Sequence, residues 1–193
     1  TLVSDFELVP QGVTLGDVVV SATRNVTKRR LAPTLVNVLD AKIFDNTQSS
    51  FLSQALKFQP GVRVEDNCQN CGFSQVRING LDGPYSQVLI DSRPVFSSLA
   101  GIYGLEQIPT NMIERVEVMR GGGSALFGSS AIAGVINVIT KDPTASSAAV
   151  SHEIRGIGGL NTFENNTNLN ATYVTDDNQF GLTFFGQLHH RSP

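Results

Sequence analysis

The sequence predicts an α+β unit followed by an antiparallel β-meander, and three observations carry that reading. Two β-branched segments, residues 115–119 and 135–140, flank a connection punctuated by Gly121, Gly122, Gly123, Gly128 and Gly134. Phe51, Leu52, Ala55 and Leu56 recur at helical spacing among strand-like segments. Beyond Pro143, apolar and polar residues alternate through three long stretches separated by turn residues.

Residues 2–8 read as a strand that Pro10 and Gly12 break. Residues 17–23 are extended and β-branched, and 24–30 read as a polar, basic linker. Residues 35–39 make the first strand of the α+β unit. Its helix spans 49–58, with Ser49 or Ser50 as the cap and Pro60-Gly61 as the stop. Short strands follow at 62–65, 75–78 and 87–90; Asn79-Gly80 and Asp82-Gly83-Pro84 turn the chain between the last two. Asp91-Ser-Arg-Pro94 turns it again, 95–107 is a long loop, and 109–113 forms one helical turn. Alternation along 115–119 puts Arg115, Glu117 and Met119 on one face and Val116 and Val118 on the other, the core face. Glycine accepts positive φ and close backbone approach, so the connection to 135–140 is shaped rather than loose. Residues 35–141 thus form a compact α+β unit with short strands and long loops. Residues 148–156, 168–175 and 180–189 form the meander, turning at Gly158-Gly159 and at 176–178. Its strands are about 10 residues long, the length of transmembrane barrel strands.

Composition narrows the function classes. An apolar fraction of 40% supports a packed core. Charged residues make up 16% of the chain, below the roughly 25% of a typical soluble domain. A net charge of −3 offers no bulk attraction to nucleic acid, and no nucleic-acid partner is expected. No apolar run approaches the roughly 18 residues of a membrane helix, which leaves crossing by alternating strands open. No signal peptide opens the chain and Thr1 falls in a strand-like stretch, so the sequence reads as a piece of something longer.

Catalytic patterns are missing. The glycine stretch lacks the Lys-Ser/Thr of a P-loop and the strand–G-x-G-x-x-G–helix of a dinucleotide fold. No G-x-S-x-G elbow is present, and His152, His189 and His190 all fall in the meander, where they read as surface residues. No enzyme activity and no resident cofactor are expected. Cys68 and Cys71, spaced C-x-x-C, read first as a small disulfide loop and second as a thiol pair for a soft metal. A thioredoxin-like motif needs a helix after the first Cys, and Gly72 and a strand-like stretch follow instead. A full zinc site needs four ligands, and only these two thiols exist, with no His nearby.

Three further groups carry two readings each. Arg77, Glu114, Arg115, Glu117 and Arg120 make either a solvated face, with ion pairs of about 0–1 kcal/mol each, or a docking surface for another domain's charges. Residues 17–23 make either an ordinary edge strand or a free β-peptide that adds to a partner's open sheet edge. The loops 67–74 and 95–107 hold Phe73, Phe96, Leu99, Ile102 and Tyr103 beside Asn, Gln and Ser, which suits loop packing or ligand contact.

From Gly16 to about Pro143 the motifs resemble, in order, the plug domain of TonB-dependent outer-membrane transporters. The run Asp17-Val-Val-Val-Ser-Ala-Thr-Arg24 resembles the TonB box and the start of the plug. Leu52, Ala55-Leu56 and Gln59-Pro60-Gly61-Val62 resemble the family's short helix and its Pro-Gly-Val. Arg77-Ile-Asn-Gly80 resembles its Ile-Arg-Gly strand end, and Val88-Leu-Ile-Asp91 its Val-Leu-Ile-Asp-Gly turn, with Ser92 for Gly. Ile113-Glu-Arg-Val-Glu-Val and residues 120–141 complete the pattern; Gly121-Gly122 replaces Gly-Pro, Phe127 replaces Tyr, and Ala133-Gly134 replaces Gly-Gly. The Cys pair is not general to the family and falls in its outward apical loop.

The resemblance implies an organisation. Residues 1–12 look like the end of a preceding small β-sandwich domain, 13–30 the TonB box and linker, 31–145 the plug, and 146–193 the first strands of a truncated transmembrane barrel. In the family the plug fills a barrel of about 22 strands in the cell outer membrane, with the TonB box facing the periplasm. The implied partners are TonB of the inner-membrane energising complex, the chain's own C-terminal barrel, the outer membrane and an extracellular small-molecule ligand. TonB would bind Asp17, Val18, Val19, Val20, Ser21, Ala22 and Thr23. Ligand would meet apical loops through Asn67, Gln69, Asn70 and Phe73, and through Phe96, Ser97, Ser98, Leu99 and Tyr103. Arg77, Glu117 and Arg120 match charges that dock on the barrel wall. The style resembles cobalamin, haem and siderophore receptors more than oligosaccharide importers; the rival class is a secreted or periplasmic binding or signalling module without transport.

Overall fold

The computed structural model describes residues 19–20, 27–28, 31–32, 34–68, 73–95, 105, 108–157 and 162–191. The strand expected at 2–8 lies outside them. Val19–Val20 (β1) pairs antiparallel with Thr27–Lys28 (β2), so part of the expected linker is a strand. The α+β unit then runs through Leu35–Asp40 (β3), Ala41–Thr47 (α1), Leu52–Leu56 (α2), Val62–Cys68 (β4) and Phe73–Ile78 (β5). It continues with Ser86–Ile90 (β6), Arg93–Pro94 (β7), Ile113–Arg120 (β8), Ser124–Phe127 (α3) and Gly134–Thr140 (β9). Thr110–Met112 is the expected single turn, of 3₁₀ type.

The central sheet has the order β3-β8-β9-β6-β7. Its ladders are antiparallel except β6–β9, where Val88 stands parallel to Ile136. The strands β4 and β5 form a separate hairpin, closed at its far end by the pair Cys68↔Phe73 after an irregularity between Asp66 and Cys68.

Both faces of the sheet are buried. On one, Val116, Val118, Ile136 and Val138 pack against Phe44 of α1 and Leu52, Ala55 and Leu56 of α2. On the other, Val36, Leu89, Met119 and Val135 pack against Phe127 and Ala131. A fully buried aliphatic side chain contributes about 1.5–3 kcal/mol, so each face is a substantial part of the core. This corrects the solvated-face reading of 115–119: Glu117 and Met119 are both 0% exposed. Over Met119 the cause is the glycine connection, which folds α3 back onto that face. Gly123 N donates to Ala131 O at 2.8 Å and Ala133 N to Tyr85 O at 2.8 Å, fixing the fold-back. Gly134 is required where the loop rejoins the sheet, because a Cβ there would strike the backbone oxygen of Met119.

The helix expected over 49–58 is shorter, and its cap differs. Phe51 occupies the N-cap in extended conformation with no side-chain cap bond. Ser50 instead donates its backbone N–H to Gln54 Oε1 at 2.9 Å, and Ser49 Oγ lies 2.7 Å from Thr47 Oγ1. The helix α1 is an element the sequence reading lacked.

The meander comprises Ser147–Ile157 (β10), Thr162–Val174 (β11) and Gly181–Arg191 (β12), paired in sequence order. Its register sets Val150 opposite Leu169 and Ala171 opposite Phe184, all on one face. That face exposes Val150, Ile154, Leu169, Tyr173, Phe184 and Leu188. The opposite face carries Glu153, Arg155, Asn166, Asn168, Gln187 and His189 and lies against the α+β unit.

Candidate functional site

The contact between the α+β unit and the polar face of the meander is the best-built site among the described residues. It forms at the bend between α1 and α2. Gln48 closes α1 in the left-handed region, at φ 48°, and turns the chain outward. The bend 48–51 meets the polar face of β10 and β12. Ser50 Oγ donates to Glu153 Oε2 at 2.6 Å. Arg155 Nη2 donates to Gln48 O at 2.9 Å and to Glu153 Oε1 at 2.6 Å. Gln187 Nε2 reaches Ser50 O at 3.4 Å and Asn166 Oδ1 at 3.0 Å. The Phe51 ring meets the His189 ring edge-on, with centroids 5.0 Å apart and planes at 89°. His189 Nε2 also lies 2.7 Å from Glu164 Oε1.

None of Ser50, Glu153, Arg155 or His189 was singled out for this contact from sequence, and His189 reads there as a surface residue. Period-2 alternation does place Glu153 and Arg155 on one face. That signal identifies the polar side of the strand but not what it touches.

The expected site residues are distributed as follows. Of residues 17–23, Val19 and Val20 are described, in β1; Asp17, Val18, Ser21, Ala22 and Thr23 lie outside the described residues. Asn67, Cys68 and Phe73 come together at the far end of the β4–β5 hairpin. Gln69, Asn70 and Cys71 lie outside the described residues, and so does the state of the Cys68–Cys71 pair. Phe96, Ser97, Ser98, Leu99 and Tyr103 also lie outside them. Among the described residues no group of three or more His, Cys, Asp or Glu side chains is placed to hold a metal.

The three expected docking charges sit in different surroundings. Arg77 is half-buried, with Nε 2.9 Å from Glu65 Oε2 and Nη1 3.1 Å from Asp82 Oδ1. Glu117 is fully buried and accepts from Arg115 Nε at 3.1 Å. Arg120 lies across Gly61, its Nη1 2.5 Å from where a Gly61 Cβ would stand. Its Nε is buried without a hydrogen-bond partner among the described residues. Arg77 is thus paired with two carboxylates, Arg120 is half-buried over Gly61, and Glu117 is enclosed beside Arg115.

Known proteins resemble this chain in sequence and in fold. Residues 28–135 match the model of the TonB-dependent Receptor Plug Domain family. The Vitamin B12 transporter BtuB of Vibrio vulnificus (strain CMCP6) is 37% identical over 142 residues, which are 72% of this chain and 23% of that protein. The siderophore receptor PirA from Acinetobacter baumannii has the same fold, with TM-score 0.68 and 21% identity over 83% of this chain and 25% of that one. The alcaligin outer membrane receptor FauA from Bordetella pertussis aligns at TM-score 0.66 and 18% identity over 89% of this chain and 29% of that one. The chain spans about a quarter of the length of these relatives. By its family match and its fold, this chain belongs to the TonB-dependent receptor plug domain family.

Proposed function

We propose that the chain is the gating plug, with the first wall strands, of a TonB-dependent outer-membrane transporter. Its cargo is a scarce, bulky, metal-containing nutrient such as cobalamin, haem or a ferric siderophore. One observation carries the reading: β10–β12 turn an apolar face outward and seat the plug on their polar face. A transmembrane barrel needs apolar side chains toward lipid and polar ones toward its lumen, which supports an outer-membrane location. The kinship with a vitamin B12 transporter favours cobalamin-like cargo over oligosaccharide.

The mechanism follows from the chain's own parts. Among the described residues the ladder of β1 and β2 joins Val19–Val20 to Thr27–Lys28. TonB replaces β2 by adding its own strand to Asp17–Thr23, with backbone hydrogen bonds supplying the affinity. Force from the inner-membrane proton gradient then reaches β3, an edge strand of the central sheet. Ligand is met by the end of the β4–β5 hairpin, at Asn67 and Phe73, and by residues 96–103. Arg77 and Arg120 dock on the barrel wall, with Glu117 holding Arg115 in place.

The test is growth of the source organism, with this receptor deleted, on limiting cobalamin, haem or metal chelates in turn. Loss of growth on one of them, restored by the intact gene but not by a gene lacking residues 17–23, is the expected result. Normal growth on all, or full rescue without residues 17–23, overturns it in favour of glycan import or a binding module without transport.

A further inference from the structure

The Pro60-Gly61 turn joins α2 to the β4–β5 hairpin, and the guanidinium of Arg120 lies on it. A Cβ at Gly61 would stand 2.5 Å from Arg120 Nη1 and 3.0 Å from Arg120 Cδ. Gly61 has φ 79°, and its carbonyl accepts the Asn79 N–H at 3.0 Å, which closes the hairpin base. Val62↔Ile78 is the first pair beyond that closure. Ile78 bears on the same corner of the sheet: a Cβ at Gly134 would stand 3.1 Å from Ile78 Cδ1. Arg120 and Gly134 are ladder partners on β8 and β9. Both residues of one ladder pair thus meet the hairpin base, each at a point where a glycine leaves the room. A hairpin held at two such points cannot tilt without moving that pair.

Arg120 also stands opposite Leu35, the first residue of β3. Alternation puts both on the face of Val118 and Leu39, where directly opposite side chains interact. Arg120 Nε is buried with no hydrogen-bond partner among the described residues, so packing on Gly61 sets where the group lies. The strand β3 follows residues 17–23 in the chain, and in the central sheet its neighbour is β8 alone. We propose that Gly61 is a positioning residue: it seats Arg120, and through Arg120 it links the β4–β5 hairpin to β3. The inference rests on the plug reading above, in which the far end of the hairpin meets cargo and the chain before β3 meets TonB. A displacement of the hairpin then reaches the strand next to the TonB-binding segment through one side chain.

The test is amide hydrogen exchange on the full-length receptor, with neither cargo nor TonB present. It therefore reads the link whether or not the receptor transports, and the plug reading stands or falls separately by the growth test. Wild type, Gly61→Ala, Arg120→Ala, the double variant and Gly80→Ala are compared. Gly80 has φ 81° and nothing within 4 Å of where its Cβ would stand, so Gly80→Ala carries the same backbone strain without touching Arg120. In Gly61→Ala the methyl pushes the flexible guanidinium aside. Protection of the β3 amides is expected to fall about tenfold, within the range for side chains in contact. Arg120→Ala lowers β3 and the hairpin together, and the double variant falls no further, because the methyl then has nothing to strike. Gly80→Ala leaves β3 at wild-type protection, and the amides of β10–β12 keep theirs throughout, the sign of an intact fold. Unchanged β3 protection in Gly61→Ala overturns the link. So does an equal fall in Gly80→Ala, which assigns the effect to backbone strain, or a double variant that loses the sum of the two single losses. If Gly61→Ala also loses protection in β10–β12, Arg120→Ala decides: a wild-type value in either β3 or the hairpin overturns the link.

Discussion

Glu117 on β8 stands directly opposite Asn137 on β9, and both side chains are completely buried. They are the polar pair inside a sheet whose other central positions are aliphatic. Asn137 Oδ1 accepts from Ser92 N at 2.9 Å, and Glu117 accepts from Arg115 Nε at 3.1 Å. The pair thus ties the turn after β6 and the start of β8 to the middle of the sheet. Asn137→Ala leaves the Ser92 N–H without its acceptor and is expected to cost about 1–3 kcal/mol. Glu117→Gln keeps the shape and loses the charge, with an expected cost of about 1 kcal/mol. Urea unfolding midpoints check both, and equal midpoints for the two variants and wild type contradict the tie.

Gly134→Ala tests the fold-back of the glycine connection. The added methyl meets the Met119 carbonyl, which is backbone and cannot swing aside. The expected destabilisation is about 1–3 kcal/mol, the usual range for an overpacked core position. Thermal unfolding is the measurement. Gly122→Ala, where a Cβ meets nothing within 4 Å, serves as the mild comparison.

Ser92→Gly works in the opposite direction. Asp91 and Ser92 both have positive φ, at 47° and 64°. A non-glycine residue there costs roughly 1–2 kcal/mol. Glycine relieves the second position and gives up only the long Asn137 Nδ2–Ser92 Oγ contact of 3.3 Å. A gain of up to about 1 kcal/mol is expected in the same unfolding assay; a loss would mean that the Oγ contact outweighs the strain.

The turn between β11 and β12 is expected to respond to acid. Thr175 Oγ1 donates to Asp177 Oδ1 at 2.6 Å and Gln179 N donates to it at 3.1 Å. The Thr175 hydroxyl first, then the Gln179 amide, hold the Asp177 carboxyl below its ordinary value of 3.8. A depressed value means the contribution is present above the unfolded value and fades as pH falls through the folded one. Protection of the residue 175–180 amides, taken relative to their intrinsic exchange rates, is therefore expected to hold down to pH 3.8 and to fall below it. Asp177→Asn removes that pH step; a step that persists in this variant assigns it to another group.

How much of this was legible in the sequence depends on the range of the interaction. The strands at 35–39, 62–65 and 135–140 were readable because β-branched runs bounded by turn residues form locally. The helix α1 was not, because in seven residues Ile43 and Phe44 stand side by side and define no period. The burial of Met119 was hidden because alternation names two faces but not what covers them; here Phe127 and Ala131 arrive from the far side of a loop. The seat of the plug was least legible, since Ser50 and Glu153 are 103 residues apart and each is ordinary in its own neighbourhood. The placement of β9 between β8 and β6 likewise follows from long-range packing and from no local signal.

That placement has a consequence for biogenesis. The last strand of the plug in sequence is the middle strand of its sheet. Until residues 134–140 have emerged, β8 and β6 each offer an open edge, the surface on which chains mispair. Only six residues separate Thr140 from Ser147, the first residue of the meander. A nascent chain therefore closes its central sheet just as the first strand of the meander begins, so the open edges of β6 and β8 last until almost the whole α+β unit has been made.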